Sequence, residues 1–319
     1  AGFGYGVEFT RADLDALRAA HQTGSAVDAA ACYAAAGLAS LRHRDSHGAH
    51  VLGLLAGAQR WQASVRGGGP PAAAVDAQRV SCQADIAFVQ LPPSVLRGVS
   101  VPALEHHAAD GVRWLCNLAK AQGYAQLVVV LAYESWLGPH DGSTWFETAM
   151  DELCDPARVA PDALQGLAMQ LVLPAGNSRE RGCHALVDPT DGPARLHWHL
   201  PPGNEDPMDL ELWAPAQAPA LQVRLTPPGG TPSPWIGWGE AARWANAGGT
   251  LACAVMHPSS PAGGGRPQLA LRIAPTSSLG SGAIAPHGIW RLELQGDAVS
   301  QAELHARIGR VEPALAVPR

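Results

Sequence analysis

A chain of 319 residues, 47% hydrophobic and 16% charged, has apolar material for one large or two ordinary cores and is not a disordered polymer. Its formal charge of -6 leaves no basic stripe, so no nucleic-acid partner is expected. The longest apolar runs, such as Leu127 to Ala132, fall far short of a bilayer span, so no membrane partner is expected either. Arg11, Asp13 and Asp15 arrive too early for a secretory leader. Cys32, Cys82, Cys116, Cys154, Cys183 and Cys253 are scattered without a C-x-x-C pair. They read as buried thiols rather than a disulfide framework, which favours a cytoplasmic setting.

In chain order, Gly2-Phe3-Gly4-Tyr5-Gly6 lacks the preceding strand and the spacing of a dinucleotide loop, and reads as a turn. Thr10 with Asp13 three residues on opens a helix to about Ala20, and Asp28 to Ala36 forms a second. The stretch Asp45 to Gly57 joins a polar turn to an apolar run, with Ser46 as N-cap and Gly48 allowing a close backbone approach. Val51, Leu52, Leu54 and Leu55 cover most of one helical circumference, so this helix is expected to be buried. His47 on its first turn then faces outward at the rim, where a general base is held in fixed geometry. Two other readings stand beside that one. His43, His47 and His50 lie at helical spacing for a metal, though no acidic ligand follows at a defined offset; alternatively, His47 is purely structural.

Further on, Ala84 to Leu91 reads as a buried strand stopped by Pro92-Pro93. Val101 to Gln122 follows as a helix, with His106-His107 after Glu105 as exposed helix surface. Gln126 to Ala132 is a continuous apolar strand of the kind buried on both faces. Ser143-Thr144 caps a helix through Leu153, and Ala168 to Leu173 is the next strand, ending at Gly176-Asn177. This alternation predicts a doubly wound parallel sheet with helices on both faces, its working residues at the carboxyl ends of strands. Asn177 falls at such an end, where the plain alternative is a turn asparagine.

From about Pro189 the pattern changes to seven short alternating runs between Pro/Gly-rich turns, beginning with Arg195 to Leu200 and ending with Leu304 to Val311. That predicts an antiparallel, jelly-roll-like β-sandwich, and a division into domains 1–188 and 189–319. His197 and His199 flank Trp198 on one strand face, as a polar face or a metal pair.

Two motifs carry a family resemblance. His47-Gly48-Ala49-His50-Val51-Leu52-Gly53 resembles the H-G-T-H-V-x-G histidine signature of subtilisin-like serine peptidases, with Ala49 in the threonine position. Leu173-Pro174-Ala175-Gly176-Asn177-Ser178 is similar to that family's strand-end A-G-N segment, in the family's order and 130 residues later. Some large bacterial members also carry a β-sandwich after the A-G-N segment. The resemblance implies His47 as catalytic base, Asn177 as oxyanion donor, a protein or peptide substrate and no cofactor. It also places Ala132, Tyr133 and Glu134 in the substrate-binding strand that the family writes roughly N-L-S-x-G, with Val130, Ala132 and Glu134 as departures. Glu134 reads as a solvated charge, as an obstacle in the groove, or as a selector of basic side chains.

Two of the family's segments are missing. No early apolar strand ends in the D-[ST]-G pattern of the orienting acid; Asp13, Asp15, Asp28 and Asp45 all lie in other contexts. The nearest match to G-T-S-x-A-x-P is Gly280-Ser281-Gly282-Ala283-Ile284-Ala285-Pro286, with Gly282 in the nucleophile's place. The sequence therefore predicts either part of an endopeptidase, completed by the remaining segments of its own catalytic domain, or an inactive pseudoprotease that binds or regulates. Binding of glycan or protein by the sandwich is a third reading. In all three, the isolated chain is expected not to turn over peptides.

Overall fold

The computed structural model describes residues 3–41, 47–56, 84–91, 101–133, 135–155, 164, 166–177, 180–187, 194–214, 221–258, 268–277, 284–296 and 303–309. Helix α1 (Arg11–Ala20) starts at a full capping box, in which Thr10 accepts from the Asp13 amide and Asp13 accepts from the Thr10 amide. A two-residue hairpin, β1 (Gln22–Thr23) and β2 (Ala26–Val27), leads to α2 (Ala29–Ala35), capped by Asp28. Helix α3 (His47–Ala56) follows; its proposed cap, Ser46, lies outside the described residues.

The central layer is built from α4 (Val101–Ala121), β3 (Gln126–Val130), α5 (Trp145–Cys154) and β4 (Ala168–Val172). Strands β3 and β4 pair in parallel, from Gln126 opposite Ala168 to Val130 opposite Val172. Period-two alternation sends Val129 and Met169 inward against Val112, Cys116, Phe146 and Met150 of the two helices. The Cys116 thiol sits 3.3 Å from the Met169 sulfur, and burial pushes its pKa up to about 11.

The rest of the chain is antiparallel. Strands β5 (His184–Val187), β7 (Met208–Trp213), β9 (Ala241–Ala245), β10 (Leu251–Met256), β11 (Gln268–Ile273) and β13 (Leu304–Ile308) make a six-stranded sheet in the order β5-β13-β7-β11-β10-β9. Strands β6 (Ala194–Leu200), β12 (Gly288–Gln295) and β8 (Gln222–Thr226) make a three-stranded sheet in the order β6-β12-β8. Their inner faces share one core, in which Trp198, Leu225, Trp290 and Leu292 meet Leu212, Val255, Leu269, Leu271 and Leu304. Trp290 is 1% exposed and donates its indole N–H to the Pro286 carbonyl at 3.0 Å, so its one polar atom is satisfied.

The fold class expected from the alternating elements is overturned. The described sheets are mostly antiparallel, and parallel pairing is confined to β3 and β4. Helices α4 and α5 pack on one face of that pair, while on the other Val128 and Val172 are 58% and 49% exposed, so the pair is not doubly wound. Ala84 to Leu91 joins no ladder among the described residues, and its Ile86 and Phe88 are 55% and 48% exposed. Side chains fix that segment instead. Phe88 lies against Gly48 of α3, Val89 against Gly111 of α4, and Asp85 accepts from the Tyr124 hydroxyl. An apolar run thus met helices at glycines, where backbones approach closely, rather than neighbouring strands.

Candidate functional site

His47 is the first residue of α3 and is exposed. Below it the helix sits on Phe88: a Cβ on Gly48 would stand 3.2 Å from the Phe88 ring, so glycine is what lets the first turn lie flat there. Val51, Leu52 and Gly53 are half-buried, but Leu54 and Leu55 are 59% and 44% exposed, so the expectation of a buried helix is corrected. The apolar residues wrap around α3, and its packing covers only one side. His43 of the alternative metal reading lies outside the described residues.

Asn177 is exposed, five residues past the end of β4, after an irregular segment in which Gly176 takes φ of 95°. In the candidate substrate strand, Leu131 extends the ladder by one bond, donating to the Val172 carbonyl at 3.1 Å. The chain then turns, because the Tyr133 amide donates back to the Leu131 carbonyl at 2.9 Å. Ala132 is exposed and Tyr133 half-buried; Glu134 lies outside the described residues. His197 and His199 both sit on the exposed face of β6, opposite Arg291 and Ile289 of β12.

Beneath Tyr133 lies a feature the sequence reading missed. Glu105 of α4 is 9% exposed, and its pKa is pushed up to about 7, first by burial and then by the charges of Glu211 and Glu147. The Ser135 hydroxyl bonds to it and opposes the shift. Tyr133 is in turn raised to about 12 by its own burial and by Glu105. A carboxyl with such a value exchanges its proton near neutral pH, which an ordinary surface glutamate does not. The signal was present in the spacing: Glu105, Ala108, Ala109, Val112, Cys116 and Ala119 form one helical stripe, and all but the first are small or apolar.

The loop leaving this site is fastened to the six-stranded sheet. The Gly138 amide donates to Glu211 Oε2 at 2.8 Å, and the Trp213 indole N–H donates to the same oxygen at 3.0 Å. Leu137 is buried against Asp209 and Gly309, where an added Cβ would stand 3.4 Å from a Leu137 methyl carbon. Gly138, His140 and Gly142 all have positive φ, at 96°, 56° and 81°. For His140 that conformation carries a cost of about 1 kcal/mol, and its ring bonds the Leu137 carbonyl at 3.2 Å across the turn. The loop that follows the expected substrate-binding segment is therefore joined to the antiparallel sheet through the half-buried carboxylate of Glu211.

No protein-family model and no curated protein matches the sequence. Among solved structures, the chain is similar to the CspB protease of Clostridium perfringens, with a TM-score of 0.50 and 15% identity. The likeness covers 65% of this chain but only 40% of that one, so it spans less than half of the neighbour's length. At this identity it speaks to the fold. Among the described residues, no helix is long and apolar enough to cross a membrane.

Proposed function

We propose that the chain carries the histidine and oxyanion segments of a subtilisin-like serine endopeptidase, completed by further segments of the same catalytic domain. The observation that supports this most is the placement of the two motifs. His47 opens a helix and Asn177 follows the end of a parallel strand, both of them exposed. The fold likeness to a protease points the same way. In this reading His47 takes the proton of the attacking serine and returns it to the leaving amine, while the Asn177 amide donates to the oxyanion. Ala132, Tyr133 and Glu134 flank the substrate backbone. The inactive-module alternative is favoured by one observation, the Tyr133 amide already engaged by Leu131 and so withdrawn from strand pairing with a peptide.

The test is fluorophosphonate labelling of the protein produced from its whole coding sequence, beside the 319-residue chain alone. The complete protein is expected to label at one serine, the chain alone at none. His47→Ala should abolish that labelling, and Asn177→Ala should slow turnover by about a hundredfold or more, a magnitude taken from a subtilisin. Absence of labelling in the complete protein, with peptide still bound, would leave the inactive module. Labelling of the chain alone, with Ser281 the first serine to check, would overturn the divided active site.

A further inference from the structure

On the outer face of the six-stranded sheet, His184 of the edge strand β5 and His305 of β13 stack on one another. Their rings are 10° from parallel with centroids 5.1 Å apart, and His184 Nε2 lies 2.9 Å from His305 Nδ1. The register explains the meeting. Leu186 opposes His305 and Arg307 opposes His184, so the two imidazoles are diagonal neighbours on one face. We propose that this pair is a proton-operated clasp, holding β5 to β13 while at least one ring is neutral and releasing the edge strand when both are protonated.

The argument rests on what an N–H···N bond requires. One imidazole donates and the other must offer a lone pair, so a second proton removes the bond and places two cations in contact. The groups around the pair make this worse. Arg307 stands directly across from His184; burial first, then the charges of Arg307, His305 and His140, hold the His184 pKa below its usual value. His140, in the loop packed on this face, is itself held low by burial and Arg307, against the opposing pull of Glu147. From β7, Glu211 opposes Arg307 and Trp213 opposes His305. Glu211 is engaged by the Gly138 amide and the Trp213 indole. Because the folded-state pKa of His184 is lowered, the stabilisation is present above the unfolded value near 6.5 and is lost as pH falls through the folded one.

Strand β5 is suited to local release. It is at a sheet edge, only four residues long, with Val187 as its one buried side chain. It begins seven residues after Asn177, so undocking would loosen the segment that carries that side chain. The clasp itself does not depend on the peptidase reading.

Amide hydrogen exchange on the full chain, corrected for the intrinsic pH dependence of exchange, tests it. Between pH 7.5 and 5.0 the protection of residues 185–187 should fall about tenfold relative to β10 and β11, the order expected for losing one bond and gaining one contact between like charges. In His305→Phe, which keeps a stacking ring without a charge, that relative fall should disappear. An equal fall in His305→Phe, or no change in the wild-type protein, overturns the proposal. A readout that needs no variant is imidazole NMR. The His184 ring should titrate below its usual range, and a midpoint at or above that range would refute the clasp.

Discussion

Glu105 shows how one residue beside a pair read as helix surface becomes a determinant of the site. A carboxyl buried in an apolar stripe binds its proton more tightly in the folded chain than in the unfolded one. Its effect on stability is therefore complete below the unfolded pKa near 4.5 and is lost as pH rises towards about 7. Glu105→Gln removes the ionisable group while keeping the shape. The variant should be more stable than the parent above pH 7 by about 2 kcal/mol and nearly equal to it at pH 4.5, checked by denaturant unfolding at both pH values. A shift in the opposite direction would mean that the Glu105 charge is compensated by a partner. Neither the burial nor the perturbation was legible from the neighbouring His106-His107 pair, which suggests solvent. The alanines and cysteine further along the helix carried the information, in a stripe that leucines alone do not reveal.

At the scale of elements, legibility followed cap chemistry and alternation. Thr10, Asp28 and Thr144 marked helix starts that the structure keeps, because each side chain satisfies an amide that would otherwise lack a partner. The first of the alternating runs, Arg195 to Leu200, forms a strand that starts one residue earlier, at Ala194. What failed was the partner of an element. Ala84 to Leu91 is apolar enough for a buried strand, but strand pairing is decided by other segments, so the run packed on glycines of two helices instead. Strands β5 and β9 were not anticipated, since His-Ala-Leu-Val and Ala-Ala-Arg-Trp-Ala are too short or too rich in alanine to show a period. The capping box of α5 offers a quantitative check. Thr144→Ala leaves the Glu147 amide without its acceptor and should destabilise the chain by about 1 kcal/mol, measured as a lower denaturation midpoint at unchanged slope. Thr144→Ser should recover most of the loss. No recovery would show that the threonine methyl, 3.5 Å from an added Cβ at Gly138, does more than the hydroxyl.

For the molecule as a whole, the feature absent from any linear reading is the junction between its parallel pair and its antiparallel sheets. Glu211 lies 73 residues from Gly138 in the chain yet receives its amide, and it also contributes to the raised pKa of Glu105. Two donors on one carboxylate oxygen make Glu211→Ala a loss of about 2–3 kcal/mol, with both N–H groups left without their acceptor. Glu211→Gln keeps an acceptor but not the charge, so it should cost less and lower the Glu105 pKa, as followed by carboxyl NMR. An unchanged Glu105 titration in that variant would show that the two parts of the molecule are joined mechanically and not electrostatically.

The uncovered side of the β3–β4 pair has a consequence for the protein as a material in solution. Val128, Val172 and Leu173 form apolar ground beside a parallel ladder, with Ile86, Phe88, Leu54 and Leu55 exposed as well. Surfaces of this kind attract copies of themselves, and strand edges offer them a template. The net charge of -6 is modest repulsion to set against that attraction, and salt weakens it further. Light scattering on the chain should accordingly give attractive interparticle behaviour that strengthens with added salt. One glutamate in place of Val128, on the face that nothing described covers, adds to the net negative charge and should raise the soluble concentration without altering the sandwich.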